Sequence, residues 1–249
     1  HVAISGSRTV DTFGHKSSYS FTLGNLLPEE VSWLEVLAMD RTGRELYLLD
    51  PMRPNMLDRY YASGVQTSGN NATRGFTTFT DPATAPAAWL PGFVAVSAMS
   101  NTSDAFLSFD GTPIPMNNQP FTVSSFYQTS TPDIQVYHNV QYLDANRVAI
   151  TQNSGPLQTV STGGWVRLSS TLTPPAGAAY GRVRFSVASQ GKSYASSVSV
   201  NIAGLQTNMG STPAQTSSGG GAIRCVVDSF GVDSPRYPLQ NVSMTIMEV

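Results

Sequence analysis

The chain has 249 residues, 40% of them hydrophobic and only 12% charged, with a formal net charge of −2. That is enough chain for one large or two modest domains with a proper core, under a surface built mostly from Ser, Thr, Asn, Gln and Gly. Its Lys and Arg are scattered rather than striped, which argues against a nucleic-acid partner, and no apolar run reaches the roughly 18 residues of a membrane span.

The opening HVAISGSRTV has no apolar core of signal-peptide length, so no secretory leader is expected. Tyr19, Phe21 and Leu23 alternate with Ser and Thr and predict a strand with one buried face. Pro28 then opens a helix, expected to run to Asp40. Its first position tolerates the missing N–H, and Glu29 and Glu30 meet the positive end of the dipole. Arg41 and Arg44 suit the negative end, and Gly43 stops it. Trp33 or Leu34 is expected to be buried against the last strand, near Val242 to Ile246. RELYLLDP reads as a second strand, ended by Asp50 and Pro51.

From about Asn55 to Gly210 the texture is that of short alternating runs between turn signals, with no convincing helix. The runs are GFVAVSAM, AFLSFD, PFTVSSFYQ, DIQVYHNVQYL, NRVAIT, WVRLSSTL, GRVRFSV and SVSVNIAGLQTN. Phe121, Val123 and Tyr127 share one side of their run. Val183, Phe185 and Val187 face in, while Arg182, Arg184 and Ser186 face out. Strands without intervening helices predict an antiparallel sandwich. Trp165 is expected to be a core or core-edge residue that closes one end of the sandwich, not a sugar platform. STPAQTSSGGGA then reads as a flexible linker, and the last segment returns to strands. In AIRCVVDSF, the lone Cys225 reads as a small buried hydrophobe, and one cysteine excludes an internal disulfide.

The simplest organisation is a β-rich domain with one helix, made by residues 1–54 and 211–249. An antiparallel jelly-roll sandwich, 55–210, is inserted into it. The fold class is mainly β.

Catalytic chemistry is not readable. His1, His15 and His138 have no metal-type spacing, no calcium loop stands out, and the aspartates from Asp58 to Asp144 sit mostly in turns. No nucleophile elbow and no phosphate loop is present. The expectation is a non-enzyme without metal or cofactor. The aromatic residues are more suggestive, because sugars stack their C–H faces on rings and offer hydroxyls to amides. Tyr137, outward in its strand and flanked by Gln135 and Asn139, is the expected sugar platform, with Tyr127 and Trp89 as neighbours.

The stretch from PFTVSSFYQ through WVRLSSTLTPPAGAAYGRVRFSV to VSVNIAGLQTN resembles jelly-roll carbohydrate-binding modules of the xylanase-associated type. Ala203 stands where that family often has Asp, which weakens the inference of a calcium site. The two ends, SGSRTVDTFGHKSSYSFTLGNLLPEEVSWLEVLA with RELYLLDPMRPNML, and VVDSFGVDSPRYPLQNVSMTIMEV, resemble minor tail or distal-tail-like proteins of long-tailed phages of actinobacteria. The inserted jelly roll would follow a junction at Asp50, Pro51, Arg53, Asn55 and Leu57. The resemblance implies a structural part of a virion tail tip, made in the host cytoplasm. It implies a homo-oligomeric ring, a hexamer or trimer, in contact with other tail proteins. Host cell-wall polysaccharide is the implied further partner; nucleic acid and membrane insertion are not. The alternative is a non-catalytic carbohydrate-binding module of a secreted polysaccharide-degrading enzyme.

Overall fold

A computed structural model describes residues 17–39, 45–50, 52–65, 68–70, 73–97, 104–108, 113–189 and 199–249. In chain order the elements are β1 (Ser18–Leu26), α1 (Pro28–Ala38), β2 (Leu46–Leu49), α2 (Arg59–Ala62), β3 (Ser68–Asn70), β4 (Thr73–Thr78), β5 (Gly92–Ser97) and β6 (Ala105–Ser108). There follow β7 (Ile114–Pro115), β8 (Phe121–Thr129), β9 (Gln135–Leu143), β10 (Ala149–Ser154), β11 (Gln158–Thr159) and β12 (Val166–Leu172). The last are β13 (Tyr180–Ala188), β14 (Ser199–Met209), β15 (Ala222–Arg236) and β16 (Leu239–Glu248). The eight runs read from sequence all appear as strands, and the short β3, β4, β7 and β11 are additional. A single turn of helix, α2, interrupts the middle segment. Asp58 caps it, accepting from the Tyr60 N–H at 2.8 Å.

The chain divides into two compact units, residues 1–47 with 224–249, and residues 48–223. In the first, both ends of the chain supply one antiparallel sheet of order β1-β16-β15-β2. Tyr19, Phe21 and Leu23 pair with Ile246, Met244 and Val242, so the apolar positions of both strands share a face. α1 lies against β16. Its start is fixed by Pro28 and by the Glu30 carboxylate, which accepts from the Leu27 N–H at 2.8 Å. The residue it buries is Val31; Trp33 is 66% exposed and Leu34 half-buried. The expectation for Trp33 therefore fails, because the helix turns Val31 toward the sheet and leaves Trp33 in solvent. Cys225 is buried and in no disulfide. Arg41, Gly43 and Arg44 lie outside the described residues.

The second unit is a sandwich. One sheet runs β10-β9-β13-β6-β3, with β11 also on β9 and β7 on β13; the other runs β12-β8-β14-β5-β4. Inward positions alternate as the sequence predicts: Phe121, Val123 and Tyr127 from β8, and Val183, Phe185 and Val187 from β13, are all at most 1% exposed. Between them lies a buried polar chain. The Tyr127 hydroxyl is 3.1 Å from His138 Nε2, and His138 Nδ1 is 2.8 Å from Ser170 Oγ, which also receives Gln158 Nε2 at 3.1 Å. Both ring nitrogens of the buried His138 thereby have a partner, as a low-dielectric interior favours.

Residues 48–54 and 211–223 group with the sandwich unit rather than with the terminal one. Asn55 gives the reason. It is fully buried and makes four side-chain bonds: Nδ2 donates to Leu205 O and Ser217 O, and Oδ1 accepts from Leu57 N and Thr207 N. The stretch read as a flexible linker is laid down as well. Asn208 Nδ2 donates to Thr212 O at 3.0 Å, Ala214 N returns to Asn208 Oδ1, and Gln206 Nε2 reaches Gln215 O. Amide side chains projecting from β14 thus take up the backbone groups of a segment whose composition alone suggests coil.

Candidate functional site

The sandwich has two outer faces, and the expected platform lies on that of the seven-stranded sheet. Gln135, Tyr137 and Asn139 do share that face, two residues apart on β9. The Tyr137 hydroxyl and the Asn139 amide nitrogen are spent internally. The Tyr137 hydroxyl donates to Asp104 Oδ2 at 2.7 Å, and Asn139, 4% exposed, donates to Ser154 Oγ at 2.7 Å. Burial and the adjacent carboxylate push the Tyr137 hydroxyl pKa up to about 12. Burial works against the Asp104 anion, but the Ser189 N–H and the Tyr137 hydroxyl outweigh it and hold its pKa below the ordinary value.

The two expected neighbours are elsewhere. Tyr127 is 0% exposed, and its ring faces inward as the alternation of β8 dictates. It cannot be a surface platform, and burial drives its hydroxyl pKa well above the usual tyrosine value. Trp89 packs against the core between α2 and β5, with its indole Nε1 buried.

A different set of residues converges on the outer face of the five-stranded sheet. On β12 the residues against the core are Val166, Leu168 and Leu172. Arg167 therefore points outward, and so does Trp165, which precedes the strand. The ladder sets Arg167 opposite Phe126, Phe126 opposite Ala203, and Gln128 opposite Asn201. Trp165 meets Phe93 at 5.7 Å between ring centres and Phe79 at 5.9 Å, both edge to face, while Phe79 and Phe93 are 5.4 Å apart. These are the favoured separations for aromatic pairs. All three rings are half-buried. The expectation that Trp165 closes the core is thus corrected: it is held by an aromatic cluster outside it.

Two glycines set this surface. Gly163, at φ 108°, turns the chain into β12, and its N–H donates to Thr129 O at 3.1 Å. Gly204, at φ 59°, sits at the irregularity of β14. A Cβ there would stand 3.0 Å from the Phe126 ring.

Beside the rings runs an open groove of about 430 Å³, lined by Gln128, Thr129, Ser130, Thr162, Gly163, Ser199 and Asn201. Asn201 Nδ2 donates to Gln128 Oε1 at 3.2 Å, so two amides stand side by side between groove and rings. On the other side, Arg167 caps the Phe126 ring at 5.9 Å and donates from Nη2 to Ser124 Oγ at 2.9 Å and Ala214 O at 2.8 Å. Burial lowers its pKa. The segment holding Ala214 covers Ser124 and Gln206 behind it, so the open half of the face runs from Arg167 to Ser199. Aromatic surface flanked by directional amides suits a ligand with flat apolar faces and polar edges. Among the described residues no cluster of His, Cys, Asp or Glu suits a metal.

No family model and no curated protein matches the chain. Solved structures do. It is similar to the enzymatically active domain of tailspike protein 4 of Bacteriophage CBA120, at 13% identity and a TM-score of 0.43, over 63% of this chain and 21% of that one. It is similar to TmCBM61 in complex with beta-1,4-galactotriose, at 11% identity and a TM-score of 0.43, over 63% of this chain and 99% of that one. It is similar also to the CBM22-1 xylan-binding domain from Paenibacillus barcinonensis Xyn10C, at 12% identity and a TM-score of 0.39, over 59% and 86%. The chain spans about a fifth of the tailspike protein it matches. Similarity of this size is one of outline and assigns neither ligand nor role.

The residues of the open face were within reach of the sequence. The alternation Val166, Leu168, Leu172 already puts Trp165 and Arg167 on the other side. Phe93 alternates against Val94 and Val96, and Phe126 against Val123 and Tyr127. The contact of Phe79 with Trp165 spans the loop between β4 and β5, and no periodicity carries it.

Proposed function

We propose that the chain is a glycan-binding structural component of a phage tail tip. Its sandwich holds polysaccharide on the open face of the five-stranded sheet, and its terminal unit joins it to copies of itself and to other tail proteins. The observation that carries the glycan reading is the cluster Phe79, Phe93 and Trp165 beside the Gln128–Asn201 amide pair on an open groove. Rings supply flat apolar area for a sugar face, and amides supply direction. The tail-tip reading is supported by the resemblance of both chain ends and by their strands sharing one sheet. A shallow site binds weakly after ordering costs. A ring of copies raises effective affinity by ~10²–10⁴-fold without new contacts, which suits a reversible first grip on a cell wall.

The test is retention of the full chain on intact cell-wall polysaccharide, as parent and as Phe93→Ala. Retention that Phe93→Ala loses is the expected result; equal retention by both sinks the glycan reading. Mass photometry of the full chain, with a search for it in purified particles, addresses the tail role. A ring, or presence in particles, is expected. A monomer absent from particles favours the module of a secreted enzyme instead.

A further inference from the structure

The face carries a charge that its own residues leave unbalanced. Arg167 stands between the Phe126 ring and the Ser124 hydroxyl, half-buried on the outer side of β12. A guanidinium has five N–H donors. Among the described residues only Nη2 is used, toward Ser124 Oγ and Ala214 O, both neutral acceptors. No described carboxylate forms an ion pair with Arg167, and no Asp or Glu is among the residues of the rings or the groove. Partly desolvated cations are costly without an anionic partner, and proteins normally supply one. Elsewhere Arg224 has Glu45 at 3.3 Å and Arg53 has Asp50 at 3.8 Å. Arg167 has Nη1 and Nε left over, each able to donate a single charge-assisted bond to a carboxylate or phosphate oxygen.

We propose that the ligand of this face is an acidic polysaccharide, whose carboxylate or phosphate groups pair with Arg167 while its sugar rings lie on the aromatic cluster. The inference rests on the glycan reading above and narrows it to a charge class. The spacing of anionic groups along the polymer then decides how many of its residues engage at once.

The experiment measures full-chain affinity for three polymers: polygalacturonate, a phosphomannan, and fully methyl-esterified polygalacturonate as the neutral match. Parent, Arg167→Gln and Arg167→Lys are compared. At least one acidic polymer should bind about tenfold or more tighter than the neutral one, the size of one charge-assisted contact, and which of the two does so identifies the anion. Arg167→Gln should abolish the preference, and Arg167→Lys should keep part of it. Parent affinity for the acidic polymer should fall severalfold between about 0.05 and about 0.5 M NaCl, a readout that holds even if a variant misfolds. Equal binding of acidic and neutral polymers, a preference that survives in Arg167→Gln, or a preference insensitive to salt overturns the proposal. Binding of the neutral polymer alone, lost in Phe93→Ala, removes the acidic inference and leaves the glycan reading standing. Binding of none of the three removes both.

Discussion

The two outer faces of the sandwich carry the same kinds of residue and use them differently. On the seven-stranded sheet, Tyr137 is bonded to Asp104, Asn139 to Ser154, and Arg184 Nη1 to Gln152 at 3.3 Å. On the five-stranded sheet, the amides Gln128 and Asn201 edge an open groove, three rings pack on one another, and Arg167 meets no acid among the described residues. A tyrosine flanked by amides looks like a binding platform in sequence, but what counts is whether its polar atoms are already occupied. Side chains tied to neighbours beneath the surface are held in place, while amides that edge an open groove beside apolar rings can be reached by a ligand.

The comparison assumes that Tyr127 belongs to the core and to neither face. Tyr127→Ala should destabilise by about 3–5 kcal/mol, as for other buried aromatics, seen as a large drop in the urea midpoint. A near-unchanged midpoint would return Tyr127 to the surface and undo the assignment of faces.

The same core sets a pH limit. Burial lowers the His138 pKa from 6.5 to about 3, so His138 is neutral in the native state. Between those values the unfolded chain binds a proton that the native chain refuses. The contribution is therefore fully present above pH 6.5 and drains by about 1.4 kcal/mol per unit as pH falls toward 3. His138→Gln, measured by urea unfolding from pH 7 to 4, should flatten that slope. An unchanged slope would place the acid sensitivity elsewhere.

The smallest effect sharpens the contrast. Tyr137→Phe removes one hydrogen bond to Asp104 and should cost about 1 kcal/mol, with no change in polysaccharide binding. Weaker binding in a variant of normal stability would mean that the seven-stranded face also takes ligand.

Much of the fold was legible. Alternation in PFTVSSFYQ and GRVRFSV puts Phe121, Val123, Val183 and Phe185 inside, because a strand facing a core on one side leaves a period of two. Pro28 and Glu30 mark the start of α1 for local reasons that need no partner. What was not legible depends on tertiary partners. Asp104 is thirty-three residues from Tyr137, and nothing in either segment announces the bond that occupies the hydroxyl. The segment after Met209 has a linker's composition, yet Asn208, Gln206 and Asn55 hold it through side chains that lie elsewhere in the sequence. Trp165 was misread for another reason. A large aromatic residue at a strand start suggests core, but its parity with Val166 and Leu168 places it on the opposite side.

The central claim is that ligand belongs to the face of Trp165 and not to that of Tyr137. The most direct measurement is affinity electrophoresis of parent, Trp165→Ala and Tyr137→Ala in gels containing host cell-wall polysaccharide, with melting temperatures recorded alongside. Trp165→Ala should lose about 30-fold or more in affinity, as expected for an aromatic hot spot of about 2 kcal/mol, while Tyr137→Ala migrates like the parent. Retardation lost in Tyr137→Ala and kept in Trp165→Ala would contradict the account.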